Sequence, residues 1–357
     1  MTSPRLGVSP QLAPVIDLDA PDPEWDILAV DSGNIFATRE WVSSWWRHFG
    51  RGRPLVARAH DGGGRLVAIL PLYTWSTRPL RILRFLGHGA GDELGPICAP
   101  DDRDEAVRAL HQLLAQFQSE WDLLLAEHLS GTGWDRTLRG RLLREHGNPV
   151  LRCDNQDWEG FLRSRSRNFR DQVRRKERRL AREHRLGFRL ADDPLRLRQD
   201  LDCLFRLHAA RWGGRPSAFD GPRETFQREF AAIALRHGWL RLWFLELDEE
   251  PAAAWYGFRF AGREAYYQSG RDPRLEHLSV GTVLLAHSIR AALEDGVAEY
   301  RFLRGDDAYK YRFANADPRL ETVGLAGSLA GRVALAAGAA TRHLNRFPGV
   351  LRRPLGL

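Results

Sequence analysis

Twice along the chain a helix carrying tryptophan precedes a strand, an acidic turn and a second strand. In the first half Trp41, Trp45 and Phe49 recur at helical spacing between Thr38 and Phe49. Leu55–Ala59 and Leu66–Tyr73 then flank the turn Asp61-Gly-Gly-Gly64. In the second half the helices Leu201–Trp212 and Arg223–His237 lead to Leu240–Leu247 and Ala252–Phe260, which flank Asp248-Glu-Glu-Pro251. Setting Asp61 against Asp248 brings the two hairpins into register. One pair of hairpins is slender evidence of duplication, yet it is what a tandem repeat of a single α/β module leaves behind.

The segments after each hairpin extend the pattern. In the first half come Leu83–Leu86, the glycine-rich loop Gly87–Pro96, a helix over Asp104–Gln118 and a strand over Trp121–Glu127. In the second come a strand at Arg263–Ser269, a loop, a helix over Ser279–Glu294 stopped by Gly296, and a strand over Val297–Phe302. Arg304-Gly305-Asp306 opens a short aromatic helix. This order predicts an α/β fold of the mixed-sheet (α+β) type in two modules. We expect an irregular arm over 1–23, a first module over 24–150 ending at the linker Gly147-Asn-Pro149, a second over 151–325, and a small-residue helix with a basic tail over 326–357.

Composition permits real cores: 43% of the residues are hydrophobic, with 12 Trp and 17 Phe. Three scattered cysteines, Cys98, Cys153 and Cys203, fit a reducing compartment rather than a disulfide framework. The first residues lack the apolar stretch of a secretory signal. In Leu325–Thr341, Arg332 interrupts the apolar run short of the roughly 20 residues a membrane span needs. The expectation is a cytoplasmic protein, with peripheral contact at the inner membrane face left open.

Charge is concentrated. Between Arg163 and Arg185 there are 11 basic residues against Asp171, Glu177 and Glu183, a local balance of +8 where the whole chain carries +7. Leu162, Phe169, Val173 and Leu180 make a narrow apolar stripe, so the segment reads as an amphipathic helix with a cationic face. That face is a solvated surface, or a site for a phosphate-bearing substrate, tRNA or an acidic membrane. Arg170, Arg174 and Arg175 are its candidate binding residues, since the guanidinium fork matches phosphate oxygens.

Several runs together resemble a known family. They are Phe302-Leu-Arg-Gly-Asp-Asp-Ala-Tyr-Lys-Tyr-Arg-Phe313, Tyr266-Tyr-Gln-Ser-Gly270, Leu278-Ser-Val-Gly-Thr-Val-Leu-Leu285, Ser166-Arg-Asn-Phe169, Leu207-His-Ala-Ala-Arg-Trp212, Glu40-Trp-Val-Ser-Ser-Trp-Trp46 and Gly91-Asp-Glu-Leu-Gly-Pro96. The chain resembles the CelD-type acetyltransferases of the GNAT superfamily, allied to the FemABX aminoacyltransferases, and the likeness runs over nearly its whole length. The resemblance implies two GNAT-like modules, an acetyl-CoA or other acyl-CoA co-substrate, and an amine acceptor on a small molecule, sugar or cell-envelope precursor; the spacing of the histidines and cysteines leads us to expect no metal. Aminoacyl-tRNA as donor is the alternative, and a non-catalytic scaffold binding nucleic acid or membrane is a third reading.

The resemblance puts the donor diphosphate at the helix after the Tyr266–Gln268 strand, where Gln268, Ser279, Val280, Gly281 and Thr282 are the candidates. A helix start offers unpaired N–H groups and partial positive charge; Ser279 can cap it and Gly281 lets a phosphate approach. Of the family's two closely spaced glycines only Gly281 is present. An ordinary capped helix packing through Val283, Leu284, Leu285 and Ile289 is the competing reading.

An amine attacking a thioester needs a proton acceptor, a proton donor and a polarised carbonyl. The resemblance makes Tyr309 or Tyr311 the candidate acid, with Asp306 expected to orient the acceptor and Lys310 to hold an anionic donor or acceptor. Lys310 is one of only two lysines, with Lys176. His208, Arg211 and Trp212 complete the acceptor candidates, although His208 beside Leu204 and Leu207 also reads as a structural, half-buried histidine. Gly87-His-Gly-Ala-Gly91-Asp92 misses a dinucleotide fingerprint at Asp92 and reads as a structural loop bordering the acceptor cleft. No His-Glu-x-x-His spacing, Gly-x-Ser-x-Gly elbow or P-loop occurs.

Overall fold

The computed structural model describes residues 9–12, 17–154, 156–212 and 218–344. Helices α1 (Pro23–Ser32), α2 (Arg39–Phe49), α3 (Arg103–Gln116) and α4 (Trp134–Thr137) lie in the first half of the chain. Then come α5 (Trp158–Arg163), α6 (Arg167–Glu183), α7 (Leu197–Trp212), α8 (Pro222–Arg236), α9 (Val280–Glu294), the one-turn α10 (Ala308–Tyr311) and α11 (Leu329–Leu344). None of the described helices is long and apolar enough to cross a membrane.

The strands form two mixed sheets. The first runs β1 (Ser9–Leu12), β2 (Pro54–His60), β3 (Leu66–Ser76), β4 (Ile82–Phe85), β5 (Leu123–Ser130), then β13 (Leu320–Ala326) and β6 (Arg141–His146). The second runs β7 (Val150–Arg152), β12 (Glu299–Arg301), β11 (Arg263–Arg271), β10 (Glu250–Phe260), β9 (Leu240–Leu247) and β8 (Leu186–Leu190). Both acidic-turn hairpins are present, β2 with β3 and β9 with β10. Each sheet also contains one parallel pair, β4 with β5 and β11 with β12, joined through α3 and α9. Parallel neighbours need such a crossover, so the repeat extends from the hairpin to the whole strand–helix–strand unit.

The sheets are interlocked. β13, from the stretch expected to belong to the second module, inserts between β5 and β6 of the first sheet. β7, at the expected domain boundary, pairs with β12 of the second. The linker expected at Gly147–Pro149 is buried in this seam. Asn148 is 0% exposed, its Nδ2 donates to Glu93 Oε1 at 2.8 Å, and the N–H of Phe302 donates to the carbonyl of Pro149 at 3.0 Å. Within the arm expected to be irregular, Ser9–Leu12 pairs with β2 as an edge strand.

A shared aromatic core joins the modules. The Trp41 ring of α2 lies 5.0 Å and 4.6 Å, edge-on, from Phe226 and Phe230 of α8, a preferred arrangement of ring quadrupoles. The arginine-rich segment is two helices rather than one. Leu162 ends up in α5, and Ser166 caps α6 by accepting the N–H of Phe169 at 3.3 Å. The remaining stripe is as expected: Phe169, Val173 and Leu180 are buried. Arg346, Arg352 and Arg353 of the basic tail lie outside the described residues.

Candidate active site

Strands β11 and β12 pair only from Arg263–Ala265 to Glu299–Arg301. Past Ala265 they part, because β12 ends while β11 runs on to Arg271. The gap opens into a cavity of about 390 Å³. Trp255, Tyr266 and Leu284 wall it, the first turn of α9 forms one rim, and Arg211, Arg271 and Arg312 supply positive charge. The matching place in the first sheet is closed. There the chain leaves the line of β4, loops out over residues 87–93 and resumes between β3 and β5. Ile97 and Ile69 exchange hydrogen bonds of 2.8 Å and 2.9 Å, and the Leu94 N–H donates to the His128 carbonyl at 3.0 Å.

At the rim, Ser279 has φ +58° and its hydroxyl makes no capping bond, contrary to the expected role. Its carbonyl takes the N–H groups of Thr282 and Val283, at 2.9 Å and 3.2 Å. The N–H groups of Val280 and Gly281 are therefore the orphan donors of this helix start. A Cβ on Gly281 would have only Arg271 Cδ within 4 Å, at 3.7 Å, so that face is open. Ser279, Gly281 and Thr282 line the cavity, while the Val280 side chain is buried.

Gln268 does not join them. Tyr256 pairs with Gln268 but the next residue, Gly257, pairs with Tyr266, so Tyr267 is the extra residue of a β-bulge. Simple alternation would put Tyr266 and Gln268 on one face. The bulge instead leaves Tyr266 and Ser269 in the cavity and turns Tyr267 and Gln268 to the opposite face.

Of the candidate acids, Tyr309 lines the cavity and Tyr311 does not. The Tyr309 hydroxyl lies 3.5 Å from that of Tyr266, which donates to Ser269 Oγ at 2.6 Å; Ser269 also accepts from Arg211 Nη1 at 2.5 Å. Burial raises the Tyr309 pKa far above the ordinary phenol value, so the group stays protonated. Tyr311 points away and donates to Asp317 Oδ2 at 2.8 Å. Asp306 lies on that outer side too, bonded to Arg319 Nη1 at 3.1 Å. The N–H of Gly147, then Arg319, hold its carboxyl below the usual range.

Lys310 is buried, and its Nζ donates to the Arg304 carbonyl at 2.7 Å with Asp307 at 3.5 Å. It is tied into the turn after β12. His208 is buried against Phe219, with burial pushing its pKa down to about 4. The Trp212 side chain lies outside the described residues. Arg170 donates to the Arg165 carbonyl at 2.6 Å, Arg174 pairs with Glu159 at 2.6 Å, and Arg175 is exposed. These three sit on α6 outside the cavity, but Arg312 at its rim donates to Gln172 of that helix at 2.7 Å. Sequence reasoning passed over Arg271, Arg312, Ser269 and Tyr266 as site residues. The usable signal was an arginine directly after the Tyr266–Gly270 run and another inside the Phe302–Phe313 run.

Across the seam, Arg304 Nη1 donates to His128 Nε2 at 2.6 Å, and His128 Nδ1 faces the Gly91 carbonyl at 3.2 Å. Arginine only donates, so Nε2 is the bare nitrogen and the ring is neutral. Burial, then Arg304, pushes its pKa down to about 3 from 6.5. Between those values the unfolded chain binds a proton that the folded chain does not. Stability is therefore full above pH 6.5 and falls as the solution is acidified. We expect this group to cost about 2 kcal/mol between pH 7 and pH 5, with a shallower loss in His128→Gln, as read by urea unfolding at both pH values.

Residues 167–311 match the family model described as an acetyltransferase (GNAT) domain. No curated protein matches the chain. Among solved structures, FemX superposes with a TM-score of 0.62 at 11% identity, over 92% of this chain and 100% of its own. L-PGS from Bacillus licheniformis gives 0.53 at 14%, over 83% and 95%, and a conserved protein of unknown function from Bacteroides thetaiotaomicron gives 0.55 at 11%, over 87% and 97%. At these identities the likeness is one of fold. Among the described residues no cluster of His, Cys, Asp or Glu is placed to hold a metal ion.

Proposed function

We propose that the second module moves an acyl group from an acyl-CoA to an amine, with the donor in the gap between β11 and β12. The observation that carries this reading is the coincidence of three features at one opening: parted parallel strands, two orphan N–H groups at Val280 and Gly281, and three arginines. A diphosphate suits the helix start, where donors and dipole act together. The pantetheine arm can take the backbone edge that β12 leaves on β11. Tyr309, whose hydroxyl faces that of Tyr266 in the cavity lining, is the donor to the departing thiolate. An acceptor on a sugar or cell-envelope precursor, and the acetyl chain itself, rest on the CelD-type resemblance.

Aminoacyl-tRNA as donor remains the second reading, and one observation favours it: the exposed Arg174, Arg175, Arg178 and Arg182 of α6 adjoin the same rim through Gln172 and Arg312. Thermal-shift titrations separate the two. Stabilisation by acetyl-CoA and CoA is the expected result, roughly 2.7 kcal/mol at 100 times Kd. Stabilisation by tRNA alone overturns it. Salt-steep binding to any nucleic acid, with no effect of either donor, points to a scaffold. In Tyr309→Phe we expect kcat to fall about 100-fold with the KM for acetyl-CoA little changed.

A further inference from the structure

Past Ala265, where β12 no longer pairs with β11, the gap has Tyr266 and Tyr309 on the donor-cavity side and Tyr267, Gln268 and Arg304 on the other, where a second opening lies. The bulge turns Tyr267 and Gln268 toward it, and the looped-out residues 87–93 of the first module form its other wall. This pocket, about 230 Å³, is lined by Asp92, Gln227, Tyr267, Gln268 and Arg304. It shares Gly89, Ala90 and Arg223 with the lining of a cleft of about 430 Å³, where the half-buried Trp75 and His88 lie over the buried Trp45 and Tyr73, beside the exposed Arg51 and beside Arg84, which pairs with Glu127 at 3.0 Å. Arg84 lies over the Trp75 ring at 4.3 Å. Ring faces next to guanidinium groups suit a ligand with a ring to stack and an anionic group to pair.

Asp92 is the one carboxylate among the residues lining these two openings. It is 9% exposed, with Arg304 Nε 3.4 Å away. Arg304 and Lys310 bring positive charge to it, and Glu93 is its acidic neighbour. Tyr267 beside it is fixed by donating to the Ala90 carbonyl at 2.8 Å and accepting from Gln227 at 3.2 Å. Burial raises the Asp92 pKa above the usual carboxylate value, which makes the ionised form a better base.

Resting on the acyl-transfer reading above, we propose that the acceptor is an amine on a ring-bearing, anionic molecule that enters through this cleft, and that Asp92 of the first module takes its proton. The amine nitrogen forms a bond to the acyl carbon as the carbon–sulfur bond breaks. The proton lost by nitrogen goes to an Asp92 carboxylate oxygen, and the thiolate takes the Tyr309 proton; exchange with water then resets both groups. The first module, whose own gap is closed, thereby supplies the base for the second.

The test follows thiol release from acetyl-CoA with glucosamine 6-phosphate as probe amine and glucosamine as control, in wild type, Asp92→Asn and Asp92→Glu. The expected result is turnover with the phosphate-bearing amine at least 10 times that with glucosamine on a kcat/KM basis (about 1.4 kcal/mol). Asp92→Asn should lose about 100-fold in kcat, keep the KM for acetyl-CoA and lose the acid limb of the pH–rate profile, with partial recovery in Asp92→Glu. Wild-type rates and pH profile in a folded Asp92→Asn overturn the base. Calorimetric binding of acetyl-CoA without turnover of glucosamine 6-phosphate overturns the acceptor class and leaves the donor reading standing. No acetyl-CoA binding at all sinks the donor reading, and this inference with it.

Discussion

From the proposed donor site we expect Gly281→Glu to lower the affinity for coenzyme A by about 100-fold, or 2.7 kcal/mol, while the protein stays folded. The added Cβ meets only Arg271 Cδ, at 3.7 Å, so the backbone has no reason to move. A carboxylate in the first turn of a helix is also electrostatically welcome. Its cost falls on the ligand, because it brings negative charge to the N–H groups of Val280 and Gly281 where the diphosphate is to rest. Gly281→Ala, which adds bulk without charge, should lose less than tenfold. Titration calorimetry reads both; equal affinity in the Glu variant and wild type would place the diphosphate elsewhere.

Gly257→Ala is the second large effect, and here the loss is in the fold. One methyl group at this position would sit 2.0 Å from the Ala265 carbonyl oxygen and 2.6 Å from the Trp255 ring. The first neighbour is backbone of the paired strand and the second is a fully buried indole, so neither yields easily. We expect a destabilisation of about 3 kcal/mol, the upper part of the range for overpacking, measured by urea unfolding. Gly257 also flanks the bulge at Tyr267. A variant that survives should show altered reactivity at both openings, since the bulge aims Tyr266 into one and Tyr267 into the other.

Much of the architecture was legible because it is local. Trp41, Trp45 and Phe49 announce α2 by spacing alone, and the Asp61 and Asp248 turns announce both hairpins. The exchanged strand was not legible. β13 is paired on both sides, carries the buried Glu321 within it and is interrupted by bulges, so it shows neither alternation nor a clean apolar run. Glu321 is buried because it accepts the N–H groups of Gly133 and Trp134, at 3.0 Å and 2.8 Å, a bond set nearly 190 positions upstream. No window of sequence contains that.

The candidate site divides in the same way. Gly281 and Thr282, and the pair Tyr309 and Tyr311, could be named through the family resemblance of their segments. Gln268 was misplaced because a single bulge residue inverts the face of everything after it. Tyr309 and Tyr311 are two positions apart on one helical turn, so the sequence offered both while the fold puts one in the cavity and the other against Asp317. The glycine-rich loop reads in sequence as bordering the acceptor cleft, but nothing local marks Asp92 within it, because Arg304 and Tyr267 reach it from the other half of the chain.

The most direct test is a crystal structure of the protein grown with coenzyme A. The expected result has diphosphate oxygens within hydrogen-bonding distance of the Val280 and Gly281 N–H groups, the pantetheine arm between β11 and β12, and the sulfur facing Tyr309. A diphosphate bound at any other surface, or a gap still closed by protein side chains at saturating coenzyme, contradicts the account.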